Sequence, residues 1–455
     1  VTTTDPAPAR PAVEESGRRR AAPVLAVAAV AVVVLVVGWI GARLTRDGTK
    51  LHLLGGYVLR GGFEVVLSPR VLLAVVVGLA GVLWGPALAA RLRWGVLLPV
   101  TALAAAGWAV ALALSSGWSR LPEPLAVRFE YPHDVPRVGG IGEFLATFVD
   151  SVGADSADPW TTHVAGHPPG ALLAFVLLDR LGLSGLGWAA AMCIAGGALA
   201  VPAVLVAVRA VAGEAPARRV APFLVLTPAA LWVATSADAL FAGVAAWGVA
   251  LLATAAARAP GPTSDLRALA GGLLLGLALF LSFGLTALGL VALVVVGVHR
   301  DRLGRPGVAR VLAVGAFGVL AVVAVFAVGG YWWVEGFLAA GERVRSGPSY
   351  ANRPLAFFLV ANLAAAALAL GPAAVAGLAS LRRARPALLP LAALAGMAVS
   401  DLTGLVRGET ERIWLPFYVW VLVATAFLPD RGRRGWLASS AGLAVVLEVV
   451  VRSEW

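Results

Sequence analysis

Residues 22–41 read APVLAVAAVAVVVLVVGWIG, and Arg18, Arg19 and Arg20 precede them, separated by Ala21 alone. The run holds no charged residue and is long enough, as a helix, to cross a hydrocarbon core of about 30 Å. A secretory leader shares that basic-then-apolar order, but its apolar part is shorter and ends at a small-residue cleavage site. The stretch therefore predicts a retained first membrane helix with its N-terminus inside. Before it, residues 1–20 are rich in Pro, Ala and charge, the composition of a disordered cytoplasmic tail.

The rest of the chain repeats the pattern. Further apolar runs occupy 71–90, 94–114, 185–208, 220–234, 239–257, 269–281, 284–298, 308–328, 355–378, 387–399, 413–427 and 436–451. Hydrophobic residues make up 60% of 455 positions and charged residues 13%, with mean hydropathy +0.87. A soluble chain needs about a quarter of its residues charged. The runs lack the alternation of a barrel strand, and a lipid-embedded backbone must satisfy its own hydrogen bonds. The expected class is thus all-α: a polytopic integral membrane protein of about 13 transmembrane helices plus a partial helix. The single membrane domain would run over 21–455.

A net charge of +11 could suggest nucleic acid as a partner, but the arginines sit in short loops between apolar runs, where orientation is encoded. Arg is used almost to the exclusion of Lys, and with abundant Ala, Gly and Val this reads as the coding bias of a GC-rich bacterium such as an actinobacterium. Cys193 is the sole cysteine, so no internal disulfide and no thiolate metal site can form. Clusters at 91–93, 209–219, 258–267, 300–310, 382–385 and 431–434 fall on one side when residues 169–183 are read as a partial or re-entrant helix. That side is assigned to the cytoplasm of a multi-pass inner (plasma) membrane protein. The basic segment 43–70 must then lie outside, together with loops 115–168, 236–238, 331–354 and 400–412.

Loop 115–168 is the longest polar stretch, and loops of that length are usually functional or disordered. Its aromatic residues Trp118, Phe129, Tyr131 and Trp160 predict that it folds back onto the bundle. It holds three of the five histidines, so imidazoles and carboxylates gather in one place. Glu130 and Asp134 bracket a Tyr-Pro-His turn, and His163 and His167 precede two prolines. Such a set suits a general base or a divalent-metal site; as single residues they are equally ordinary loop polars. Ser236 and Asp238 open an apolar run, where either can cap a helix and the acid can also bind a ligand. Arg407, Glu409, Glu411 and Arg412 lead into the run at 413–427. They read as an ion-pair cluster or as arginines for an anionic headgroup.

Taken in order, an acidic outer loop (Glu130, Asp134), HPPG at 167–170, DALF at 238–241, GGLLLGL at 271–277 and GETERIW at 408–414 resemble the GT-C superfamily of membrane glycosyltransferases. The likeness is to the protein mannosyltransferase and aminoarabinose transferase branches and covers roughly 130–417. Two departures stand out. Two extra spans precede the acidic loop, and Ser282 and Phe283 occupy the place where a lysine often follows the Gly-Leu-rich helix. The resemblance implies transfer of a sugar from a polyprenyl-phosphate donor to a glycan or lipid acceptor of the cell envelope, at the outer membrane face among membrane lipids. It implies Asp134 as base with Glu130 second, and His163, His167, Asp238, Arg407 and Arg412 as donor-phosphate or substrate ligands. A divalent cation, Mg or Mn, would be held by Asp134, Asp238 and His167. Two other readings stay open: a transporter or flippase of lipid or solute, and an inactive glycosyltransferase-like scaffold.

Overall fold

The structure, a computed structural model, describes residues 10–53, 58–234 and 236–453. Thirteen helices of ten or more residues are labelled here in chain order. They are α1 (Arg10–Arg46), α2 (Val71–Arg91), α3 (Trp94–Ala113), α4 (Pro169–Arg180), α5 (Leu186–Ala212), α6 (Glu214–Val225), α7 (Ala237–Ala256), α8 (Pro262–Leu281), α9 (Arg300–Val328), α10 (Trp333–Ser346), α11 (Leu355–Ala379), α12 (Leu388–Leu402) and α13 (Arg433–Val450). Nine helices among the described residues are long and apolar enough to cross a membrane, and Phe283–Gly297 and Leu415–Phe427 are shorter apolar helices. The chain is an all-α polytopic bundle, as the apolar runs predict. Residues 1–9 of the expected tail lie outside the described residues, and helix is assigned from Arg10 onward.

The expected span at 220–234 is not one continuous helix. Helix α6 stops at Val225, and Thr227 caps a separate 3-10 turn, Pro228–Trp232, by accepting the Ala229 N–H. Proline cannot donate the hydrogen bond that would carry the helix through. Residues 169–183 behave as expected: α4 has 12 residues, too few to cross.

Helices α5, α7, α8 and α9 pack in sequence as a row, while α1 lies on α11, and α2 rests on α3, α6 and α13. The α8–α9 contact depends on glycine. A Cβ on Gly272 would collide with the Gly315 backbone, so the two helices approach at backbone distance. In lipid, where burial of apolar surface offers no advantage, such close packing is a main source of helix association.

One end of this bundle gathers the irregular segments. Loop 115–168 folds back as predicted and buries Leu125, Tyr131, Phe144, Phe148, Val152, Trp160 and Val164. Phe148 stacks on Trp160, whose Nε1 donates to Phe148 O at 2.9 Å. The segment after α1 also packs inward, with Leu51, Leu53, Val58 and Leu59 buried. It is fastened by the one small sheet found among the described residues. Strand β1 (Gly61–Phe63) pairs antiparallel with β2 (Val451–Ser453), Gly62 opposite Arg452.

Candidate active site

At that end, residues far apart in sequence converge on Arg412. Ser236 caps α7: its Oγ accepts the Asp238 N–H at 3.1 Å and donates to Asp238 Oδ2 at 2.9 Å. Asp238 thereby sits in the first turn of α7, where the helix dipole favours a negative charge. Arg412 Nη1 donates to the same Oδ2 at 2.8 Å, and Arg412 Nη2 donates to Glu409 Oε2 at 2.7 Å. Asp238 and Arg412 are 4% and 6% exposed, so this is a buried ion pair.

The network continues into the long loop through His163, in the turn Thr162–Ala165. His163 Nε2 lies 3.0 Å from Arg412 Nη2, and its Nδ1 lies 2.8 Å from Glu130 Oε1. A guanidinium has only donors, so the contact at Nε2 requires an imidazole lone pair there. The ring proton then belongs on Nδ1, facing the Glu130 carboxylate. His163 thus links an acid to an arginine as a neutral imidazole of defined tautomer. His167 stands beside it, its Nδ1 2.8 Å from His163 O. Burial holds the His167 imidazole below its ordinary range, so it too is neutral near pH 7.

Arg60, from the other end of the chain, and Glu411 complete the cluster. Arg60 pairs through Nη1 with Glu409 Oε1, and its backbone N–H donates to Glu411 Oε1 at 2.9 Å. Burial alone would raise the Glu409 carboxyl, but Arg412 and Arg60 overcome it and hold the group well below the usual range. Glu411 is treated oppositely: burial pushes it up to about 7. Among the described residues its Oε2 has no hydrogen-bond partner, which suits a protonated acid better than a charged one. The backbone is also unusual here. Glu409 has φ 62 and is one of two non-glycine residues with positive φ among the described residues. A left-handed non-glycine residue costs about 1–3 kcal/mol, and such strain collects at functional sites.

The expected site residues divide. Glu130, His163, His167, Asp238 and Arg412 are brought together. Asp134 is not part of that network: its Oδ1 accepts from Arg137 Nη1 at 2.8 Å and its Oδ2 from the Thr161 N–H at 2.9 Å. Arg137 in turn donates to Asp158 O and Pro159 O and covers the Trp160 ring at 4.1 Å. Asp134 therefore staples two halves of the loop and is buried, where an exposed loop acid was expected. Arg407 is likewise engaged in structure. Its Nη1 donates to Tyr350 O and Arg353 O at 2.8 and 2.7 Å, with the guanidinium 3.7 Å over the Tyr350 ring.

The proposed metal ligands Asp134, Asp238 and His167 do not converge. Asp134 is consumed by Arg137 and Thr161, and Asp238 is held by Arg412. Among the described residues no group of three His, Cys, Asp or Glu side chains is placed to hold a metal ion. The donor set present among the described residues does not fit Mg or Mn.

The sequence does not single out Arg60, nor Asn362, whose Oδ1 accepts the Gly408 N–H beside Glu409. The basic segment 43–70, out of place on the arginine-poor face, was the one available hint of Arg60. Asn362 was hidden as a lone amide inside an apolar run.

No family model and no curated protein matches the sequence. Among solved structures, the crystal structure of the Archaeoglobus fulgidus oligosaccharyltransferase, in complex with Zn and sulfate, matches with 15% identity and a TM-score of 0.41. The match covers 78% of this chain and 53% of that one, so the chain spans about half the length of the protein it resembles. A likeness that loose carries no argument about residues, metal or substrate.

Proposed function

We propose that this chain is a GT-C-type membrane glycosyltransferase that moves a sugar from a polyprenyl-phosphate donor to a hydroxyl of a cell-envelope acceptor at the outer face of the plasma membrane. The observation that carries the reading is the buried chain of contacts from Glu130 through His163 to Arg412, Asp238 and Glu409, built at one end of an apolar bundle. A lipid-linked donor keeps its tail in the bilayer and its phosphate at the interface, and the chemistry must then sit at the end of the helices. A transporter would instead place its charges near the midplane.

The charge pattern assigns the roles. Asp238 is neutralised by Arg412, and Glu409 by Arg60 and Arg412. Glu130 meets a neutral imidazole in place of a guanidinium. It is therefore the carboxylate suited to accept a proton, the part that the sequence alone offered first to Asp134. The acceptor hydroxyl attacks the anomeric carbon, its proton passes to Glu130, and the bond from that carbon to the phosphate oxygen breaks. The lipid phosphate departs with the bonding pair, close to the guanidinium groups of Arg60 and Arg412.

The test is transfer by the purified protein in vesicles, supplied with radiolabelled polyprenyl-phosphate sugars and an envelope-lipid extract as acceptor. Labelled product with at least one donor is expected. No transfer with any donor, together with movement of the labelled lipid between leaflets, would establish the transporter reading instead.

A further inference from the structure

One amide in the neighbouring helix makes several of the contacts to the turn that carries Glu409 and Arg412. Asn362 lies in α11 and is 1% exposed. Its Nδ2 donates to Asp401 Oδ1 at 2.8 Å and to Val406 O at 2.9 Å, and its Oδ1 accepts the Gly408 N–H at 2.9 Å. The backbone oxygen of Asn362 accepts Thr410 Oγ1 at 3.1 Å. The orientation of the amide is dictated by these partners. A flipped group would set an NH2 against the Gly408 N–H and an oxygen against two acceptors.

All four contacts fall on residues 401–410, the stretch that contains Gly404, Gly408 and Glu409 at φ 66, 98 and 62. Beyond it Tyr418 Oη donates to Thr410 O at 2.7 Å, so the turn is clamped from α11 on one side and from the following helix on the other. A left-handed glutamate is not a conformation the chain would choose unaided. We infer that Asn362 is a positioning residue: it holds the Gly408–Glu409 turn in its left-handed form, and so aims Glu409 at Arg60 and Arg412 at Asp238 and His163. Its effect on catalysis rests on the transferase reading above, while its effect on the turn does not.

The test compares Asn362→Leu with the double variant Asn362→Leu/Asp401→Leu. The single variant leaves a buried carboxylate, an N–H and a carbonyl without partners, and lowered stability alone would be uninformative. In the double variant the carboxylate is gone, and removing both partners of a buried pair restores stability toward the wild type. The Gly408 N–H and Val406 O still lack their clamp.

Amide hydrogen exchange read by mass spectrometry should be about tenfold faster over 404–413 in both variants, with α7 and α8 unchanged in the double variant. Transfer at saturating donor should fall about a hundredfold in both, because a displaced charge network no longer meets the reacting atoms. If the double variant regains wild-type exchange over 404–413 and wild-type transfer along with its stability, Asn362 is only a packing element and the inference fails. If the wild type itself transfers no sugar, the transferase reading falls and the exchange measurement alone decides the role of Asn362.

Discussion

The two ends of the bundle use the same residue types to opposite effect. At the arginine-rich end, Arg310 meets Asp265 at 2.9 and 2.6 Å, Arg218 meets Glu214 at 2.8 Å, and Arg219 pairs with Asp430. These are peripheral pairs, with Asp430 83% exposed and Arg310 53% exposed. At the other end, Arg412 is paired with Asp238 where almost no solvent reaches either. Solvent screens the first kind of pair until it contributes little. Burial makes the second kind costly to break and sensitive to geometry. Charge alone does not mark a site; charge withdrawn from water and joined across the chain does.

That contrast can be broken in a graded series. The largest effect is expected from Arg412→Ala, which strands Asp238 in the interior and leaves Glu409 paired with Arg60 alone. Loss of about 3–5 kcal/mol of stability should appear as a large fall in melting temperature in detergent, and transfer should vanish with it. A melting temperature equal to the wild type would show that the network is not buried as described. Asp134→Asn should come next. The buried staple to Arg137 and Thr161 loses its charge, at about 1–3 kcal/mol, while the protein that remains folded should transfer sugar at close to the wild-type rate. Loss of transfer without loss of stability would return Asp134 to the role of base. The smallest effect belongs to Arg310→Gln at the opposite end, for which neither melting temperature nor transfer should change measurably.

Much of this architecture is legible in the sequence, and the failures have physical causes. Uncharged runs such as 22–41 and 355–378 announce membrane helices because a lipid-facing helix tolerates little else. The arginine clusters exposed the short helix at 169–183, since a full crossing there would have reversed every later loop. The helical run assumed across 220–234 ignored Thr227 and Pro228, a cap and a donor-less residue in series that end one helix and start another. The pairing of Asp134 had a local signal: Arg137 stands three residues on, within reach across one 3-10 turn. Arg60 and Glu409 are a different case. They are 349 residues apart, and no spacing rule links them. Asn362 was unreadable for a third reason, because half of its partners are backbone groups of a distant turn, which every sequence possesses.

The central claim is that Glu130, and not Asp134, accepts the proton at the end of the buried network. It is tested most directly by measuring transfer from a polyprenyl-phosphate sugar by the wild type and by Glu130→Gln, with melting temperature recorded for both. Glutamine keeps the shape and an acceptor oxygen for His163 Nδ1–H but is not a base. Transfer should fall by at least about a hundredfold with melting temperature little changed. A Glu130→Gln protein that transfers sugar at the wild-type rate would contradict the account.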